Sequence, residues 1–215
     1  TFRPIRKIAF STYIDFVSFP WSKYGIDEPS KTTDFYLLGT YSLNQNSYIE
    51  ARYKYKQKEK NTKVEESTIV LPYDTQKLRL RYSYDKNNGW SFRTTADIAR
   101  FQLKQSDKEL GIMISQNISY KGSGKLSANA YLAGFNAESY NALLYSYERN
   151  LLSTFYMPSF YGEGMRCAVN GRYDLSDAIT LSIKAAHTKY FNRDIISSGA
   201  DQINGNSRTD IYTYL

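Results

Sequence analysis

The sequence predicts an all-β fold: an antiparallel up-and-down transmembrane β-barrel of about ten to twelve strands, in one domain over residues 1–215. Three observations carry that expectation. Apolar and polar residues alternate with period two along most of the chain, the candidate strands are roughly 8–13 residues long, and short links alternate with long ones. Strands of soluble sheets run to about 5–6 residues, whereas a strand crossing a bilayer at the usual tilt needs about 9–11.

The elements follow in order. Strands are expected near 7–19 and near 34–43, the second apolar on both faces through Phe35, Tyr36, Leu37 and Leu38. In 48–58, Ile49, Ala51, Tyr53 and Tyr55 alternate with Glu50, Arg52, Lys54 and Lys56. In 77–85, Leu78, Leu80, Tyr82 and Tyr84 alternate with Lys77, Arg79, Arg81 and Ser83. In 90–101, Trp90, Phe92, Ala96 and Ile98 alternate with Ser91, Arg93, Thr95 and Asp97. The stretch 109–120 sets Leu110, Ile112, Ile114, Ile118 and Tyr120 against Gly111, Ser115, Asn117 and Ser119, and 178–189 repeats the pattern. Further strands are expected near 125–135, 163–173 and 208–215. Short turns rich in Asn, Asp, Gly or Ser fall at Asn44–Ser47, Lys86–Asn88, Gly122–Gly124 and Asp174–Asp177. Longer polar stretches lie at 20–33, 59–75, 103–108, 136–162 and 191–207. Membrane barrels sort their links this way, with tight periplasmic turns on one rim and long extracellular loops on the other. Residues 138–157, with Leu143, Leu144, Tyr147, Leu151 and Leu152, also suit an amphipathic helix, so an extra hairpin, a loop helix and a plug all stay open there.

Composition narrows the function classes. Aromatics make up 16%, with 21 Tyr against 11 Phe, a ratio suited to surfaces with one apolar and one wet side. A mean hydropathy of -0.56, with no long apolar run, excludes a helical membrane protein. Cys167 and His187 are the only residues of their kinds, which excludes an intramolecular disulfide and a Cys-based zinc site; no cofactor or metal is expected. The absence of an initiator Met and the abrupt ends read as a mature or excised fragment, part of a larger barrel.

The segment Tyr147-Glu148-Arg149-Asn150-Leu151-Leu152, then Met157-Pro158-Ser159-Phe160-Tyr161-Gly162-Glu163-Gly164-Met165-Arg166, resembles a known family. So does the tail, where Ser198-Gly199-Ala200-Asp201-Gln202-Ile203-Asn204-Gly205-Asn206 leads into Arg208-Thr209-Asp210-Ile211-Tyr212. Together they resemble the C-terminal barrel region of Bacteroidetes outer-membrane proteins that carry N-terminal helix-hairpin-helix repeats, most clearly over residues 140–215. The resemblance implies a barrel in the bacterial outer membrane. It implies no biochemical role for that barrel, and the absent helix-hairpin-helix part carries no DNA-related role to these residues.

The net charge of +7 gains meaning from its placement. If the apolar faces meet lipid, Arg52, Lys54, Lys56, Arg79, Arg81, Arg93, Arg166, Arg172 and Lys184 line the lumen, opposed on the strands by Asp15, Glu50 and Asp97. A basic lining favours anion passage or binding; the competing reading is pairing with carboxylates of an internal plug or of further strands. The expected role is therefore a pore for polar or anionic solutes, or an anchor of a larger envelope machine with envelope protein partners. The alternatives are a surface interaction protein acting through its long loops and a soluble all-β binding domain. Nucleic acid is disfavoured, because no aromatic-basic interleaving like a single-strand groove is evident on that face. No enzymatic activity is expected: His187 lacks a recognisable Ser partner, and Cys167 reads as a small outward residue between Met165 and Val169. Tyr161-Gly162-Glu163-Gly164 reads as a bend entering a strand, Asn117-Ile118-Ser119 as a chance glycosylation pattern, and Asp27 and Glu28 as loop carboxylates.

Overall fold

The computed structural model describes residues 1–215 apart from Glu65, Ser123, Ser153, Phe155 and Asp177. Its strands are β1 (Phe2–Ile5), β2 (Ile8–Phe19), β3 (Ser30–Ser42), β4 (Ser47–Val64), β5 (Ser67–Asp85), β6 (Trp90–Leu103), β7 (Lys108–Lys121) and β8 (Leu126–Ala137). They continue as β9 (Leu144–Tyr145), β10 (Ser159–Phe160), β11 (Gly162–Asp174), β12 (Thr180–Tyr190), β13 (Ile195–Ile196), β14 (Ile203–Asn204) and β15 (Ser207–Tyr214). One 11-stranded sheet takes the order β1-β2-β3-β4-β5-β6-β7-β8-β11-β12-β15, every neighbour antiparallel and next in the up-and-down path. The chain is thus all-β and antiparallel. The sheet is open: among the described residues β1 and β15 are its two edges and do not pair. Closure needs end strands that exchange a full ladder at a consistent stagger. The four-residue β1 keeps only Phe2↔Phe10 and Ile5↔Ile8, with an irregularity between them.

Two expected loops are not loops. The stretch 59–75 continues β4 and β5 into a tall hairpin paired from Ser47↔Tyr84 to Val64↔Ser67. Both faces of the β4 arm of its upper half are polar, and β5 there runs Ile69, Val70, Leu71 without alternation, so the pairing holds through backbone hydrogen bonds where apolar alternation is silent. The stretch 103–108 shrinks to a turn at 104–107 between β6 and β7, with Gln105 at φ 68. Within 136–162 the helix alternative is not taken: β9 and β10 pair through Ser159↔Tyr145 and Phe160↔Leu144.

Register assigns the two faces. On one side, Leu78, Leu80, Ile98, Ile112, Ile114, Leu132, Val169, Ile183 and Ile211 stay exposed, Ile114 at 62% and Ile211 at 69%. This apolar face ends along a line. Register places Thr33, Gln57, Asp74, Gln102 and Lys108 opposite one another in a row across β3 to β7. Beyond that row the outward positions of β4 are polar, with Glu59, Asn61 and Lys63, set opposite Pro72, Val70 and Thr68 of β5. At the short-turn end, Trp90 packs on Tyr120 (centroids 4.9 Å) and on Phe92 (6.2 Å). The core lies on the other side, where Met113, Tyr131, Ala133, Phe135, Ala168, Ala186 and Tyr190 of the sheet meet Leu144, Phe160 and Ile196.

Candidate functional site

The described residues of 138–161 form a strap across the inner face of β6 to β12. It can lie close because β7 offers no side chain at Gly111: a Cβ there would collide with the Ala142 carbonyl and press on the Ala137 methyl. Gly164 makes the same concession to the Phe135 ring, which stacks on Phe160 at 4.6 Å. Apolar burial holds both ends of the strap, with Ala142 at 1% exposure, Leu144 at 3% and Phe160 at 3%.

Charge holds its middle. The Glu148 carboxylate accepts from Arg166 Nε and Nη2, each at 2.6 Å, and from Lys184 Nζ at 2.7 Å. Arg166 also donates to Thr188 Oγ1 at 2.7 Å and stands 3.9 Å from Asp210, while Lys184 reaches Asn150 Oδ1 at 2.6 Å. All three charged side chains are at most 3% exposed, so they satisfy one another rather than water. Burial alone raises the Glu148 carboxyl, but the hydrogen bonds from Arg166 and Lys184 outweigh it and hold the group below the usual carboxylate range. Farther along, the Tyr147 ring covers the Arg79 guanidinium at 3.9 Å and the Tyr145 ring faces Lys77 at 5.0 Å.

The nine basic residues singled out in the sequence all fall on this inner face, and seven have carboxylate partners. Lys54 and Lys56 share Asp34, at 3.5 and 2.9 Å. Arg79 pairs with Asp97 at 2.6 Å, Arg81 with Glu50 at 3.1 Å, and Arg172 with Asp174 at 3.1 Å. Arg166 and Lys184 pair with Glu148, leaving Arg52 and Arg93 without a carboxylate among the described residues. Asp97 and Glu50 stand where alternation put them. Asp34, Asp174, Asp210 and Glu148 were outside the expected set, and only Glu148 comes from a link rather than a strand. Lys58 and Lys60 extend the β4 row past Lys56 toward the hairpin tip, and the Lys60 ammonium faces the rings of Phe101 (4.9 Å) and Tyr73 (5.6 Å).

The remaining candidates scatter. His187 lies opposite Cys167 in the β11–β12 register, and its Nδ1 meets Thr209 Oγ1 at 2.8 Å across β15. Cys167 is exposed. Asp27 binds Asn61 twice, its backbone N–H donating to Oδ1 at 3.2 Å and its carboxylate accepting from Nδ2 at 2.8 Å, so it ties a loop to the β4–β5 hairpin. Gly162 enters β11 at φ 84, and Asn117 lies mid-strand in β7. Among the described residues no three His, Cys, Asp or Glu side chains converge as a metal site. Comparison with family models, curated proteins and solved structures finds no match.

Proposed function

We propose that this chain forms wall and internal strap of a bacterial outer-membrane β-barrel, and that the barrel works as an envelope anchor whose lumen is occupied by its own chain. One observation carries the membrane reading: the apolar face is exposed and stops along one row of polar residues across β3 to β7. From Leu110 to Tyr120 the outward side of β7 runs about 34 Å along the strand, or about 26 Å once tilted by about 40°. An outer-membrane barrel presents an apolar band about 25 Å tall. Trp90, Phe92 and Tyr120 at its lower margin suit an aromatic girdle. An exposed run of apolar side chains across neighbouring strands marks a surface that meets lipid or a partner. The resemblance of residues 140–215 to Bacteroidetes barrels points the same way.

The strap favours an anchor over an open pore. It buries Arg166 and Lys184 under Glu148 and so removes two of the cations that would select anions. A second reading, an anion conduit, draws on the side the strap leaves clear, where Arg52, Lys58 and Lys60 line β4 with no carboxylate partner among the described residues. Gel migration of unheated against boiled protein in detergent tests the barrel. Faster unheated migration with β-rich circular dichroism is expected, and a β-fold that is stable and monodisperse without detergent would refute it. Planar-bilayer recordings separate the two roles: an anchor is silent, whereas steady anion-selective current identifies the conduit.

A further inference from the structure

We propose that the small cavity on the inner face of β5 to β8, beneath Tyr147 of the strap and open beside Arg93, is a binding site for a small monovalent inorganic anion. The cavity holds about 40 Å³ and is floored by Thr95 and Ser115, which face each other in the β6–β7 register. That volume takes roughly three waters or one halide or nitrate, and no sugar or nucleotide.

Its polar atoms are biased toward donation. Arg79, Arg81 and Arg93 contribute three positive charges against two from Asp97 and Glu50, a balance of 3 − 2 = +1. The surplus sits on Arg93, which has no carboxylate among the described residues. Arg81 Nε is buried with no hydrogen-bond acceptor, and the Tyr131 hydroxyl lines the cavity from β8 beside the hydroxyls of Ser115 and Ser146. Asn117 accepts at Oδ1 from Asn129 Nδ2 (2.8 Å) and from Ser119 Oγ (3.1 Å), which leaves its amide N–H groups free to donate. Guanidinium N–H groups can only donate. Arg93 itself is exposed to water, so the donor left unanswered is the buried Arg81 Nε, and one monovalent anion beside it meets that donor and both guanidinium charges. Tyr147, over Arg79, closes the site from the strap side.

The site needs only these strands and Tyr147, so it stands apart from the membrane reading. The test uses the full chain, first verified as folded by circular dichroism in whichever medium keeps it monodisperse. Melting is followed against sodium bromide at constant ionic strength, with sodium gluconate as balancing salt because gluconate exceeds the cavity. A saturable rise of a few degrees is expected with bromide, as for any ligand that binds only the native state. Chloride NMR linewidth, broadened by the protein and narrowed again by bromide, reads the same site directly. Arg93→Met, a change at an exposed side chain, is expected to weaken bromide at least about tenfold, the loss of one charge-assisted partner. An equal rise in gluconate and bromide would overturn the proposal, as would unchanged bromide affinity in Arg93→Met. If that variant does not fold, absence of bromide-reversible chloride broadening in the wild type overturns it alone.

Discussion

Glu148 is the residue on which the inner face balances. Removing its charge while keeping its shape strands two buried cations, and breaking a buried pair costs about 3–5 kcal/mol. Glu148→Gln is therefore expected to free the strap: limited proteolysis cuts within 138–161 many times faster, and the melting temperature falls. Arg172→Gln is the control, because its pair with Asp174 is about half exposed and such pairs are worth about 0–1 kcal/mol. Equal protease resistance in the two variants would mean that apolar burial alone seats the strap. The same carboxylate sets a pH dependence. Its folded pKa is depressed, so its contribution is complete above the unfolded value of about 4.3 and is lost as pH falls through the lower folded value. Strap protection is expected to hold through mild acid and to fail only in strong acid, as read by protease sensitivity against pH. The sequence left open a plug in 138–157 and pairing of the basic residues with its carboxylates, but it did not single out Glu148 or its partners. Glu148 lies in the segment that carries the family resemblance, but its partners stand 18 and 36 residues on, at positions that only the strap's path brings near.

Among the elements, the strap and the β4–β5 hairpin show where alternation informs and where it fails. The ten long strands of the sheet announce themselves because one face is apolar and the other polar, and register then carries all nine basic residues to one side. Where both faces are polar, as at Gln57 to Asn61, the same backbone pairing leaves no trace in hydropathy. The strap is opaque for the opposite reason. Its leucines suit several folds, and the choice is made by what lies beneath them: Gly111 and Gly164 open the space, and Phe135 fills it from the sheet. Gly111→Leu tests this without touching a charge. The side chain has no room under the Ala142 carbonyl, so the strap's first half must lift while the sheet persists. Expected are new cleavage near Asn141 to Tyr145 and an unaltered β-sheet spectrum. If the strap stays protected, the close approach at Gly111 is not what positions it.

For the whole molecule, a single charge placed at two heights decides which medium meets the outward face. Ile114 stands mid-strand on β7, 62% exposed, between Ile112 and Ile118 on the same side. Gln102 belongs to the polar row that bounds this face. In lipid, a lysine at the midplane costs about 2–4 kcal/mol, whereas near the interface it costs about 0–1 kcal/mol. In water both changes fall within the range of ordinary surface substitutions, about 0.5 kcal/mol, and Ile114→Lys would reduce aggregation by interrupting an apolar patch. Urea titration of Ile114→Lys and Gln102→Lys folded into phospholipid vesicles is expected to show the first destabilised by several-fold more than the second. The gradient in depth matters more than either value, because a general folding defect would not follow the height of the residue. Equal stabilities, together with better solubility of Ile114→Lys without detergent, would assign the apolar face to a soluble partner and turn the barrel wall into a docking sheet.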